Sequence, residues 1–164
     1  MGKHSILPIP DAMVGEILGL AEIAYSYNGK IKISFLSDEL QIEMDDLGDA
    51  IDLAELLGLV KVKKGIIYLT IYGEAMALGA IDDKKKILRE RITKLEPFKT
   101  ILKYIYKEKV ISEHDLFEKM KKKFPIEHPH KFKKLILSWG GYTEIFEYYG
   151  DKGEFTIPRK EFKP

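Results

Sequence analysis

The histidines are the first candidates for chemistry, because a neutral imidazole is a common metal ligand. Glu127-His128-Pro129-His130 places two histidines around a proline, and His114 lies earlier in the sequence. Two histidines at i and i+2 do not share a helix face, and no third ligand follows at a fixed spacing. The chain has no cysteine, which excludes thiolate metal sites, iron–sulfur clusters, disulfides and cysteine nucleophiles. We therefore predict no metal site and no cofactor.

Catalytic patterns are equally sparse. No arrangement of serine, histidine and aspartate typical of a nucleophilic triad can be picked out. The many carboxylates are typical of a solvated surface, whereas an acid–base pair would need a shared pocket. We predict that the protein is not an enzyme and has no catalytic residues.

Lysines gather at one place in the C-terminal half, where a predicted helix ends and the next one begins. The cluster comprises Lys119, Lys121, Lys122, Lys123, His130, Lys131, Lys133 and Lys134, with Lys152 in a later turn. Such a patch fits nucleic-acid phosphates or an acidic protein, while the alternative is a solvated face that favours a helix C-terminus. It contains no Arg, Asn or Gln, the side chains suited to bidentate base contacts. Contact with phosphates is therefore favoured over sequence reading.

Carboxylates dominate a predicted helix in the N-terminal half, which carries no Lys or Arg. They are Asp45, Asp46, Asp49, Asp52 and Glu55. Negative charge opposes phosphate, and Lys61, Lys63 and Lys64 in the segment that follows offset it only partly. We predict that this face contacts a protein rather than DNA.

Aromatic side chains cluster near the C-terminus. They are Trp139, Tyr142, Phe146, Tyr148 and Tyr149, with Leu137 and Ile145 in the same apolar stretch. A stacking platform for bases or for a partner is one interpretation. A small domain needs large rings to build its core, so we favour a structural role.

Composition and charge separate the chain into two parts. The 164 residues are 45% hydrophobic, and their net charge is +1. Residues 1–80 carry 6 Lys against 12 Asp and Glu, whereas residues 81–164 carry 21 Lys and Arg against 14 Asp and Glu. The balances of −6 and +7 predict an acidic unit over 1–80, a basic unit over 81–158 and a polar tail over 159–164. The two units could pair head to tail, within a homodimer or with a partner.

Two further expectations come from composition. The first residues contain too short an apolar run for a secretory signal, and no stretch approaches the roughly 20 apolar residues of a membrane span. We expect a soluble cytoplasmic protein that does not insert into a membrane. The sequence contains 24 Lys but one Asn and one Gln, a bias typical of thermophiles.

Periodicity in the first part predicts a helix, a short strand, two helices, a hairpin and a last helix. Asp11, Ser34 and Asp45 are the predicted N-caps of the three leading helices, and Gly58 ends the third. We expect Phe35, Leu36 and Leu40 to be buried. The predicted bounds are a helix from Asp11 to near Asn28-Gly29, strand 30–33, helix 35–41, helix 45–57, hairpin strands 59–63 and 66–70 around Lys64-Gly65, and helix 72–79.

The second part repeats this plan. The predicted elements are helix 83–94, helix 97–108, helix 113–123 capped by Ser112, a helix from Pro129 to Gly140-Gly141, and hairpin strands 144–148 and 154–157. A helix-turn-helix followed by a hairpin is the plan of a winged helix. We predict a mostly helical α+β fold made of tandem winged-helix units packed together.

Three segments resemble the AAA-associated C-terminal domain, which is found behind the ATPase subunits of nitrate/sulfonate/taurine-type ABC transporters and as free-standing proteins. They are Pro8-Ile-Pro-Asp-Ala-Met-Val-Gly-Glu-Ile-Leu-Gly-Leu, Leu53-Ala-Glu-Leu-Leu-Gly-Leu-Val and Leu137-Ser-Trp-Gly-Gly-Tyr-Thr-Glu-Ile-Phe-Glu-Tyr. The resemblance covers residues 7 to 158, and its most specific part is Trp-Gly-x-Tyr-x-Glu-Ile-Phe-Glu-Tyr at 139–148. The run Ile-Tyr-Leu-Thr-x-x-Gly at 67–73 is shared by many winged helices and discriminates little.

The resemblance implies a regulatory or accessory role through protein contacts with such an ATPase. It supplies no catalytic residues. The sequence lacks the Gly-x-x-x-x-Gly-Lys-Ser/Thr loop that cradles phosphate, so an ATPase partner would be another polypeptide. A DNA-binding regulator that uses the basic unit is the alternative.

Overall fold

A computed structural model of the chain describes residues 8–159. The chain divides into two compact units, Pro10–Arg91 and a second one that runs from Ile92 onward and also includes Pro8 and Ile9. The expected boundary lay before residue 81. Lys84 Nζ donates hydrogen bonds to the backbone oxygens of Met76 (2.8 Å) and Ala77 (3.1 Å), which attaches the segment after residue 80 to the first unit.

The first unit contains five helices and a small antiparallel sheet. Its elements are α1 (Val14–Ser26), β1 (Lys30–Lys32), α2 (Ile33–Leu40), α3 (Met44–Leu56), β2 (Val60–Lys63), β3 (Ile66–Leu69), α4 (Ile71–Leu78) and α5 (Ile81–Ile92), whose last residue begins the second unit. Strand β3 lies between β1 and β2. Lys64 and Gly65 both have positive φ, as a tight two-residue hairpin turn requires. The core includes Ile17, Leu36 and Leu53, all fully buried.

The second unit repeats this element order. It contains α6 (Phe98–Glu108), β4 (Val110–Ser112), α7 (Glu113–Lys123), α8 (Pro129–Thr143), β5 (Glu147–Tyr149) and β6 (Glu154–Thr156). Strand β6 lies between β4 and β5, so the sheet order matches that of the first unit. The prediction of a mostly helical α+β fold is confirmed.

Several predicted helix starts are wrong. The N-caps are Met13, Lys32 and Glu43, and not the predicted Asp11, Ser34 and Asp45. The carboxylate of Glu16 accepts a hydrogen bond from the Met13 backbone N–H at 2.8 Å. This bond gives a partner to one N–H group at the start of α1 without Asp11. Ser112 is the cap of α7, as predicted, and its hydroxyl accepts from the Asp115 N–H at 3.0 Å. Gly58, with φ +77°, follows the end of α3 as predicted.

Three further local predictions need correction. Phe35 was expected to be buried but is 57% exposed, because it lies on the outer side of α2. Gly140 and Gly141 lie inside α8 and do not end it, since Glu144 takes the left-handed conformation after the last turn. Strand β4 was not predicted, because its three residues are too few to show an alternating pattern. Within the described residues, no helix is long and apolar enough to cross a membrane.

Candidate docking and phosphate-contact surfaces

The predicted lysine cluster occupies the end of α7 and the start of α8. Pro129 begins α8, and its fixed φ suits the first helical position. The exposed members on α7 and α8, here called the basic surface, are Lys119, Lys121, Lys122, Lys123, His130, Lys131 and Lys134. Leu135 and Ile136, on the opposite side of α8, are fully buried, so packing turns the cationic side outward.

Lys133 differs from its neighbours in this cluster. Its Nζ lies 3.1 Å from Glu113 Oε1 and 5.4 Å from the centre of the Tyr148 ring. The hydrogen bond to Glu113 raises the pKa of Lys133. The Lys133 side chain therefore joins α8 to α7 and to strand β5, and it contributes little to the basic surface.

Other lysines also have partners inside the unit. Lys121 Nζ pairs with Glu118 Oε2 at 3.3 Å on the surface of α7, a contact of little energetic weight in solvent. Lys119 and Lys123 lie over the ring of Tyr104, at 5.4 and 5.7 Å from its centre. Their charges stay exposed while their positions are restrained.

Lys152 lies in the turn between β5 and β6, and it is exposed. A hydrogen bond from the Tyr148 hydroxyl to Glu113 Oε1 (2.5 Å) anchors this hairpin to α7. The same bond is the main cause of a lowered pKa at Glu113, with Lys133 adding to it. The hairpin therefore has a fixed attachment to the helices that carry the basic surface.

The predicted acidic residues lie on α3. Asp45, Asp49 and Asp52 follow one another at helical spacing, and the residues at 45, 46, 52 and 55 are exposed. Glu55 reaches strand β2, where its Oε2 accepts from the Val62 N–H at 3.3 Å. The acidic face is therefore in contact with the hairpin whose lysines, Lys61 and Lys63, also point to solvent.

An open groove of about 1020 Å³ runs between α3, β2 and the start of α4. It contains three large exposed side chains, Leu56 (54%), Ile71 (78%) and Tyr72 (46%). Arg91 fixes one side: its Nε donates to the Leu57 backbone oxygen at 2.7 Å, and its guanidinium carbon lies 4.5 Å from the centre of the Tyr72 ring. Sequence reasoning missed this groove because Ile71 and Tyr72 look like ordinary core positions of a short helix.

The predicted aromatic cluster is divided between core and surface. Trp139 and Phe146 are buried, and Phe146 packs edge-on against Phe155, with ring centres 5.2 Å apart. The three tyrosines, Tyr142, Tyr148 and Tyr149, are half-buried. A core role is confirmed for Trp139 and Phe146, which leaves no stack of exposed rings for bases here.

The histidines show no shared geometry. All three described histidines are exposed. His114 lies on α7, His128 lies just before α8, and His130 lies on α8. Across residues 8–159, no three residues of the types His, Cys, Asp and Glu come together in a way that could hold a metal ion.

The two units thus define a small mostly helical α+β protein with a repeated element order, two exposed charged surfaces and an open groove. The model of the C-terminal AAA-associated domain matches residues 35–149, more than half of the chain. The protein belongs to this family. No curated protein and no solved structure matches the chain.

Proposed function

We propose that each unit is a winged helix. Both units have the order helix, strand, helix, helix, strand, strand, and both sheets place the last strand in the middle. In this assignment α2–α3 and α7–α8 are the helix-turn-helix pairs, and β2–β3 and β5–β6 are the wings. The second helix of each pair, α3 or α8, is the element that such domains present to a partner.

We propose further that the protein is a non-enzymatic accessory subunit. It docks in the cytoplasm on the ATPase of an ABC transporter of the nitrate/sulfonate/taurine type and regulates it. Membership of the AAA-associated family supports the class of partner. The observation that carries the docking role is the groove with Leu56, Ile71 and Tyr72 exposed.

Exposed apolar side chains that share one groove favour a protein partner, because their burial removes apolar area from water. Ile71 is the first residue of α4 and is 78% exposed. Its side chain therefore contributes little to the core of the unit. Arg91 holds the Tyr72 ring in place before any partner arrives, which lowers the entropic cost of binding.

The test is binding of the full chain to a purified ATPase subunit of a nitrate/sulfonate/taurine-type transporter from the same organism, measured by biolayer interferometry. Ile71→Ser should weaken binding about 10-fold or more, since burial of an Ile side chain is worth about 1.5–3 kcal/mol. Ile81→Ser is the matched control, because Ile81 is 68% exposed but does not line the groove. Equal binding by wild type and Ile71→Ser would refute the groove, and no binding by either would refute the partner.

DNA binding by the second unit is the other candidate function. Lys131 and Lys134 are exposed on the first turns of α8, and Lys152 is exposed at the end of the hairpin. If this function is correct, duplex DNA binds at low salt, binding weakens steeply as salt rises, and Lys131→Glu/Lys134→Glu abolishes it. Lys61→Glu/Lys63→Glu in the first unit is the control and should bind as wild type does. Absence of binding at low salt eliminates this function.

A further inference from the structure

The outer face of α3 has a gap at its centre. Gly48 is exposed, and a Cβ added there would meet no atom within 4 Å. Asp45 and Asp52 lie one turn away on either side, and the exposed side chains of Met44 (57%) and Leu56 (54%) lie near the two ends. The face therefore combines negative charge, apolar side chains near both ends and a central position without a side chain.

Nothing inside the first unit requires a glycine at this place. A glycine in the interior of a helix is less favourable than alanine, because it loses more backbone freedom on folding. Its φ is not in the left-handed region, and the space above it is open. What a missing side chain permits is the close approach of another backbone.

The outer face of α8 shares two of these features, an open glycine and exposed charge, and its charge is positive. Gly141 is exposed, and an added Cβ would again meet nothing within 4 Å. His130, Lys131 and Lys134 lie on the same side of the helix, toward its start. Helix α8 contains no carboxylate, and α3 contains no Lys or Arg.

We propose that the outer face of α3 in one copy of this chain docks against the outer face of α8 in a second copy. The exposed Asp45 and Asp52, with the half-buried Asp49 between them, would face the basic surface, and the two glycines would let the helices cross closely. Both halves of this complementary pair are exposed on the same molecule. The contact goes beyond the proposed ATPase docking and does not depend on it; the two share Leu56 and Asp52, so they would compete for this end of α3.

The contact joins two different surfaces, so two copies either satisfy both faces reciprocally in a closed dimer or leave one face of each copy open. In the second case, assembly closes into a larger ring or grows with protein concentration. Its strength should fall with added salt, because exposed charges are screened beyond about 10 Å at 0.1 M ionic strength. A basic partner protein in place of the second copy would leave the purified chain monomeric.

The first experiment measures the mass of the full chain by light scattering at about 0.03 M and about 0.5 M salt, on either side of the range in which screening becomes strong. We expect a mass above 18.9 kDa that rises with concentration at low salt and returns to 18.9 kDa at high salt. Asp45→Lys/Asp52→Lys and Lys131→Glu/Lys134→Glu should each be monomeric at low salt. An equimolar mixture of the two variants should restore association.

A third variant, Gly48→Gln, separates the effect on docking from the effect on folding. Gly48→Gln places a side chain in the gap, so it should prevent association at low salt while its melting temperature at high salt stays equal or rises. Glu22→Gln, on an exposed position of α1, is the control and should associate as wild type does. A wild-type chain that is monomeric at low salt overturns the proposal. Charge-reversed variants that fail to associate when mixed, or a Gly48→Gln that associates normally, also overturn it.

Discussion

Phe146 packs directly on the backbone of Gly140, so a Cβ at residue 140 would overlap the Phe146 ring. This contact explains why the helix-ending residue predicted at 140 lies inside α8: the glycine is needed for space, and its backbone stays helical. It also gives a physical role to part of the stretch at 139–148 that carries the family resemblance. The ring belongs to the core of the second unit, where Phe146 is 4% exposed.

Gly140→Ala should destabilise the second unit by about 1–3 kcal/mol, the usual cost of overpacking a core. Gly141→Ala is the matched control, since its added methyl group would meet nothing within 4 Å. The free energies of unfolding come from denaturant titrations at high ionic strength. A Gly140→Ala protein as stable as Gly141→Ala would show that the Phe146 ring does not need the glycine.

Tyr148→Phe should remove part of the pH dependence of stability. In the folded chain the Tyr148 hydroxyl lowers the pKa of Glu113 below its ordinary 4.5, so this bond stabilises the fold above that pH. The stabilisation is lost as the pH falls through the lowered pKa, where Glu113 becomes protonated. The variant should be about 1 kcal/mol less stable at pH 7, because one hydrogen bond to a partly solvated charge is lost.

The measurement for this variant is thermal and denaturant unfolding from pH 7 down to pH 3. The difference from wild type should shrink on acidification. Tyr106→Phe serves as the comparison, because Tyr106 is exposed and lies in the same unit. A stability difference that stays constant with pH would contradict the role assigned to Glu113.

Arg91→Lys should behave almost like Arg91→Ala. Only the guanidinium can both donate from Nε to the Leu57 oxygen and lie over the Tyr72 ring. Each change should cost about 1–2 kcal/mol in chemical unfolding, from the lost hydrogen bond and the lost stacking. Lys94→Ala, at an exposed position, is the control. An Arg91→Lys protein as stable as wild type would show that a positive charge at residue 91 is sufficient for this stabilisation.

Ser112→Ala should cost about 1 kcal/mol, the typical value for a lost N-cap. The hydroxyl of Ser112 accepts from the Asp115 N–H, whereas Ser34 lies inside α2 and caps nothing. Ser34→Ala should therefore be neutral or slightly stabilising in the same denaturant titration. Equal effects of the two substitutions would mean that Ser112 is not the N-cap of α7 or that Ser34 also caps a helix.

Much of the secondary structure could be predicted because its signals are local. The Lys64-Gly65 pair set the first hairpin, and α7 has the bounds 113–123 that its apolar spacing and cap predicted. The start of α1 could not be placed from Asp11, because the N-cap residue is Met13 and its N–H donates to the carboxylate of Glu16 in the first turn. Competing caps a few residues apart differ by small energies, and only the folded backbone selects one.

The sequence by itself determined the charge contrast of the two parts, the helix and hairpin order and the absence of thiol chemistry. Only the tertiary structure decided which side chains remain available to a partner. Lys133 and Lys134 are neighbours of one type, yet Lys133 pairs with Glu113 while Lys134 stays exposed. Glu113 also accepts a hydrogen bond from the Tyr148 hydroxyl, 35 residues away, so the partner of Lys133 is held by a residue distant in the sequence. Local sequence sets backbone geometry, whereas the availability of a charge depends on groups that folding brings together.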